Sequence, residues 1–216
     1  MCWNAEVSLN TFVFTCFTLA FVYYNNEYTQ YKLSEFKNKW LYVFLFSVFS
    51  IQLFEYFIWK NIKNKYNSVF TKILFINIYL QPIASLMLLS NLTLRNAFLI
   101  PYLLIGIPNI ANIIKTDTIH STVTNGHLDW HNYKFVYKGK DYQKILYFIF
   151  AFLLLFSFFY ESNWSYLIFG FLTMSIFVYK EYRTSGSMWC WVVNSIAFYM
   201  LGYILFYLPL VEKGLC

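Results

Sequence analysis

The sequence predicts an all-α fold, a polytopic membrane protein built as one seven-transmembrane-helix bundle over residues 1–216. Three observations predict it. The chain is 59% hydrophobic and only 12% charged, against about 25% charged residues in soluble domains, so most of its surface must face lipid. Seven apolar runs approach the ~20 residues that an α-helix needs to cross a hydrocarbon core of about 30 Å. Almost every residue lies in one of these runs or in a short connector, which leaves no room for a second domain.

The first run, Val7–Tyr24, follows neither a Lys/Arg-rich region nor a small-residue cleavage site, so it is expected to stay as a helix and not to be removed as a leader. The second, Trp40–Trp59, closes at Lys60, and the third, Val69–Ser90, contains Pro82. The fourth, Asn96–Ile114, contains Pro101 and Pro108. Prolines inside spans free backbone carbonyls and favour a polar interior. The fifth and sixth runs, Ile145–Tyr160 and Trp164–Tyr179, are short and joined by Glu161-Ser162-Asn163, so a tight helical hairpin is expected. The seventh is Met188–Leu208, and the one longer connector is 115–144.

Seven spans put the chain ends on opposite sides. Side A, the side of residue 1, collects eleven basic residues: Lys60, Lys63, Lys65 and Lys72, five lysines in the 115–144 connector, and Lys180 and Arg183. Side B collects five, Lys32, Lys37, Lys39, Arg95 and Lys213. The excess of positive charge makes side A cytoplasmic, with the C-terminus outside or lumenal. Two glycosylation-type sequons, Asn91-Leu92-Thr93 and Asn163-Trp164-Ser165, fall on side B.

Within the spans the polar residues gather near side A. Glu55 is the one carboxylate well inside an apolar run. Such a group costs roughly 2.5 kcal/mol at mid-membrane, less near a helix end, so it calls for a partner, water or a neutral state. Gln52 and Trp59 stand one turn either side of it on the same helix face. Asn77 and Gln81 in the third span, Asn109 and Asn112 in the fourth and Asn194 in the seventh fall at comparable depth. Lipid-facing amides are costly, so these residues are expected to point inward. Two arrangements fit: a cavity open to side A with Glu55 as its titratable centre, or a self-satisfied network that only holds the helices together.

Over this region the sequence sets a side-A cap of Trp3, His127, Asp129, Trp130, Trp189, Cys190 and Trp191, the tryptophans as interfacial anchors. His127 and His131 stand four apart and are weak metal candidates if that stretch is helical. Gly126 reads better as a turn, which favours a loop or short re-entrant segment. The cysteines at 2, 16, 190 and 216 match no zinc spacing. Cys2 and Cys190 share side A, where a cytoplasmic setting keeps them reduced; Cys2 is alternatively a lipidation site. The 137–140 stretch, Tyr-Lys-Gly-Lys, is a basic segment suited to anionic lipid.

Several function classes are disfavoured. The last span has no lysine, so a retinal Schiff base has no attachment point. There is no phosphate-binding loop and no Arg-rich voltage-sensor helix, and neither a cofactor nor a nucleic-acid partner is expected. Intramembrane zinc hydrolases of the alkaline-ceramidase kind are also seven-helical, but here His120, His127 and His131 all lie in one connector, which departs from their pattern.

Three motifs carry a resemblance: Met1-Cys2-Trp3 opening the chain, Gly126-His127-Leu128-Asp129-Trp130, and Gly186-Ser187-Met188-Trp189-Cys190-Trp191 leading into the last span. In these, and in its Phe, Tyr, Asn, Lys and Ile bias, the chain resembles a seven-helix membrane family of giant DNA viruses and microbial eukaryotes. The resemblance implies the fold, a virion or host internal membrane, and motif residues on side A; it implies no activity. The leading expectation is a side-A polar cavity that binds or conducts a small solute or ion in the lipid bilayer, with protons passing through Glu55. The alternatives are a structural or interaction protein of a viral or host-derived membrane, and a metal-dependent intramembrane lipid hydrolase using His127, Asp129 and His131. Overall an enzyme is the less favoured class, and the aromatic outer surface permits a homo-oligomer.

Overall fold

A computed structural model describes residues 4–130, 136–137, 140–141, 143–161, 168, 172, 175–176, 179, 184, 187 and 190–213. Helix α1 (Ala5–Tyr28) starts where the extended Asn4 accepts the Val7 N–H on its side chain at 2.8 Å, an N-cap that satisfies one of the orphan donors of the first turn. It outruns the apolar stretch at its far end because Asn25 turns its amide back onto the Phe21 carbonyl. A 3₁₀ turn (Ser34–Lys37) leads to α2 (Trp40–Lys60), and α3 (Tyr66–Leu86) follows a short connector. Helix α3 ends at Leu86 and not at Ser90, since Leu88 and Leu89 close tighter turns onto the Ser85 and Leu86 carbonyls. Helix α4 (Leu92–Lys115) starts earlier than hydropathy predicts, capped by Asn91, which accepts from Leu94 N–H at 3.0 Å.

Among the described residues of the long connector there is β pairing, where a loop or short re-entrant segment is expected. Strands β1 (Thr122–Thr124) and β2 (His127–Asp129) pair antiparallel, with Val123 opposite Leu128. Their two-residue turn, Asn125-Gly126, has both φ angles positive, 51° and 76°. That is the turn whose twist suits a hairpin, and Asn-Gly is its preferred sequence. A second, shorter pair joins β3 (Val136–Tyr137) to β4 (Lys140–Asp141).

Helix α5 (Gln143–Tyr160) follows. The last span is α6 (Cys190–Gly202), a π-helical turn (Tyr203–Tyr207) and α7 (Leu208–Glu212). Among the described residues five helices are long and apolar enough to cross a membrane: α1 to α4, and Trp191–Glu212. The apolar part of α5, Phe148–Tyr160, is shorter. The expected sixth span, 164–179, lies outside the described residues except Ile168, Leu172, Ser175, Ile176 and Tyr179, which are helical and exposed.

Helix α2 packs against α3 on one flank and α1 on the other; α1 also meets α6, and α3 meets α4 and α5. One apolar cluster joins α1, α2 and α6 through Leu19, Val22, Leu45, Val48, Val193 and Met200. A second joins α2, α3, α4 and the β1–β2 hairpin through Ile58, Leu74, Ile113 and Leu128. Large side chains such as Phe17, Leu104, Phe148 and Phe206 cover the outside, as a lipid-facing surface requires. Polar ties fix the two ends. At side B, Tyr31 donates to Glu212 at 2.6 Å, Asn38 to the Leu88 carbonyl at 3.1 Å, and the Ser90 N–H to Glu161 at 2.7 Å. At side A, Lys72 donates to the Ile114 carbonyl at 3.0 Å and stands 3.7 Å from Asp117.

Candidate functional site

The site is built from α2 outward. Leu41, Leu45 and Val48 repeat at alternating spacings of four and three and pack into the cluster shared with α1 and α6. Continuing that repeat gives Gln52, Glu55 and Trp59, so the face that is apolar near side B turns polar toward side A. Gln52 and Glu55 are both 0% exposed. Among the described residues neither Glu55 oxygen has a hydrogen-bond partner, nor do the buried indole N–H groups of Trp59 and Trp130. A buried carboxylate left so is costly unless something else meets it.

The facing seam of α1 is made of hydroxyls. Ser8, Thr11, Thr15 and Thr18 are all buried, and Val22 and Asn25 continue the same spacing. Tyr23 of α1 meets Tyr42 of α2, ring centroids 5.7 Å apart, which sets an approximate antiparallel register. Counting equal numbers of residues from that pair toward side A puts Thr15 level with Ser50, two residues before Gln52, and Thr11 level with Phe54, next to Glu55. At the same level Asn194 of α6 donates to Thr11 Oγ1 at 3.0 Å. Glu55, with Gln52 one turn before it, thus falls at about the depth of the Asn194–Thr11 bond that joins α6 to α1.

The other expected site residues go elsewhere. Asn77 and Gln81 of α3 donate to the Ser47 carbonyl of α2 at 2.7 and 3.4 Å, about two turns from Glu55. Asn109 of α4 bonds the Tyr79 hydroxyl, and Tyr102 donates to the Tyr79 carbonyl at 2.9 Å, an α3–α4 clasp. Asn112 lies on the exposed face of α4, where its carbonyl accepts from Thr116. A cavity of about 200 Å³ opens at side B, lined by residues that include Glu35, Lys37, Asn38 and Glu161, at the opposite end from Glu55.

The cap at side A is the β1–β2 hairpin. Asn67 of α3 donates to the Ser121 carbonyl and accepts from the Ser121 N–H, both at 2.9 Å, while Thr71 bonds the Ser121 hydroxyl at 2.8 Å. This bolt seats Leu128, Asp129 and Trp130 over the bundle. Asp129 is wholly buried, with the Thr124 hydroxyl 3.5 Å away. Trp130 is packed inside the second apolar cluster, so it seals the bundle and does not stand as an exposed anchor. Trp191 is half exposed, as an interfacial or lipid-facing side chain should be. His127 lies in strand β2, which removes the helical spacing on which a His127–His131 metal pair depended. Among the described residues no group of three or more His, Cys, Asp or Glu could hold a metal ion. Trp3, His131, Trp189 and the Cys190 side chain lie outside the described residues.

Sequence reasoning missed Ser8, Thr11, Thr15, Asn67, Thr71 and Ser121. The α1 hydroxyls had a readable signal, their alternating three and four spacing. Asn67 and Ser121, far apart in the chain, had none. The sequence matches no protein-family model, no curated protein and no solved structure.

Proposed function

We propose that this protein crosses the membrane seven times and binds or conducts a small solute or ion at a polar site in its side-A half, with Glu55 as the ionisable centre. One observation carries the reading. The expected amides Asn77, Gln81, Asn109 and Asn194 each bond a neighbouring helix, whereas the carboxylate of Glu55 is fully buried with no hydrogen-bond partner among the described residues. Helix packing accounts for the amides and leaves Glu55 unaccounted for. An ionisable group in that position is characteristic of an ion or proton pathway.

The seven-span count is supported by the ends of the elements. Glu161 closes α5 at side B, tied to Ser90. Helix α6 starts near the first turns of α1, through Asn194 and Thr11, and its extension finishes at side B, through Glu212 and Tyr31. A chain that stands at side B at Glu161 and at side A at Cys190 calls for an odd number of crossings between them, and the apolar run 164–179 offers one. Charge bias makes side A cytoplasmic. The resemblance to membrane proteins of giant DNA viruses makes a virion or host internal membrane the proposed location.

The test is proton and ion flux in liposomes carrying the wild type or Glu55→Gln, over a range of pH. The expected result is wild-type flux that falls at least about ten-fold in the variant, a barrier change of about 1.4 kcal/mol, with an unchanged helical spectrum and elution profile. A second reading, a purely structural membrane protein, draws on the pairwise use of the amides; it is favoured if neither protein shows flux and Glu55→Gln unfolds no differently from wild type.

A further inference from the structure

The lane between α1, α2 and α6 has a chemistry of its own. Ser8, Thr15 and Thr18 donate their hydroxyl hydrogens to the carbonyls of their own helix, at Asn4 (3.3 Å), Thr11 (2.8 Å) and Phe14 (3.0 Å). A hydroxyl committed in this way keeps its oxygen lone pairs for the interface. Thr11 Oγ1 is bound on one side by the Asn194 amide, which leaves the Asn194 carbonyl oxygen as a further acceptor. The helix count sets hydroxyl, amide and carboxylate oxygens from three helices at about the depth of Thr11, and the carboxylate, Glu55, has no hydrogen-bond partner among the described residues. Oxygen-rich sets of this kind suit hard cations.

Charge decides which cation. Among the described residues Glu55 is the one carboxylate in the lane, and a single negative charge neutralises a single positive one. A divalent ion would leave a net charge buried in an apolar surround, which is far more costly. Access is also one-sided: toward side B, beyond Thr18, the seam is closed by Leu19, Val22, Leu45 and Val48, all buried and apolar, before Asn25.

We propose that this lane is a binding site for a small monovalent cation such as sodium, held by Glu55, Gln52, Thr11, Thr15 and Asn194 and entered from side A. The assignment rests on the reading of Glu55 as the ionisable centre and adds to it a ligand class and a set of ligands.

The experiment is the unfolding midpoint of the purified full-length protein in detergent at constant ionic strength, with choline chloride replaced stepwise by sodium chloride. A ligand that binds the folded state raises the midpoint. The expected result is a saturable rise with sodium that is absent in Glu55→Gln. In Thr11→Val and Thr15→Val the half-saturating concentration should climb about ten-fold or more, as loss of even an outer-shell partner does at metal sites. Thr71→Val, in the hairpin bolt, should keep the wild-type sodium response. Should the α1 variants not fold, radiolabelled sodium binding to wild type and Glu55→Gln decides the matter. Equal midpoints in sodium and choline for the wild type overturn the assignment, and so does a sodium response that survives in Glu55→Gln. Glu55-dependent proton flux without any sodium response overturns the cation site while leaving Glu55 as the ionisable centre. Saturable, Glu55-dependent sodium binding without flux supports the site and removes conduction.

Discussion

Gly126 carries a φ of 76°, and a Cβ placed there would meet nothing within 4 Å. The cost of Gly126→Ala is therefore conformational alone, about 1–2 kcal/mol for a left-handed non-glycine residue, and should appear as a lower unfolding midpoint. Asn67→Ala acts differently. It strands the buried Ser121 N–H, whose partner is the Asn67 side chain, and should cost about 1–3 kcal/mol. The same change should speed proteolysis within 122–129, because it unbolts the hairpin from α3. Gly126 was readable as a turn because glycine has a local meaning. The role of Asn67 was not, because its partner Ser121 lies 54 positions along the chain. Glu55 shows both sides of this. Its burial followed from the apolar residues around it, while the hydroxyls at its level had to be placed by helix register.

At the scale of elements, helix existence followed from apolar length, but helix ends followed from polar side chains that hydropathy ignores. Asn4, Asn91 and Asn25 move boundaries by capping or extending backbone ladders. The pairing of elements was less legible. Ser85 of α3 donates to the Leu154 carbonyl of α5 at 2.7 Å and meets the Ser157 hydroxyl, a clip between two helices that no spacing rule links. In a bilayer such bonds are modest, averaging about 0.6 kcal/mol. A double-mutant cycle with Ser85→Ala and Ser157→Ala should give a coupling of that order, read from detergent or bicelle unfolding. A coupling near zero would mean that van der Waals packing alone holds α3 to α5. The connector between α4 and α5 was the element furthest from expectation. Short strands inside a helical protein carry too little periodicity to stand out, although the Asn125-Gly126 pair was the local signal for a hairpin.

For the molecule as a whole, the helical membrane class was legible because it depends on a sum, apolar content, that survives local error. The arrangement of helices around α2 was not, since lipid-facing and protein-facing surfaces are both apolar and differ little in composition. Seven crossings with side A cytoplasmic make a definite prediction. Reporter tags before residue 4 and after residue 213 should be protected on opposite sides of sealed vesicles, the first cytoplasmic and the second lumenal. Tags found on one side would require an even number of crossings.

The bond from Asn194 to Thr11 links residues 183 positions apart, so α1 finishes its packing only after α6 has been synthesised. Until α6 is inserted, the α1–α2 pair presents part of its hydroxyl-lined seam to lipid or to the insertion machinery. Assembly of the polar lane is thus a late event in biogenesis, and a nascent chain that stops before Cys190 should be held by that machinery and turned over faster than the finished protein.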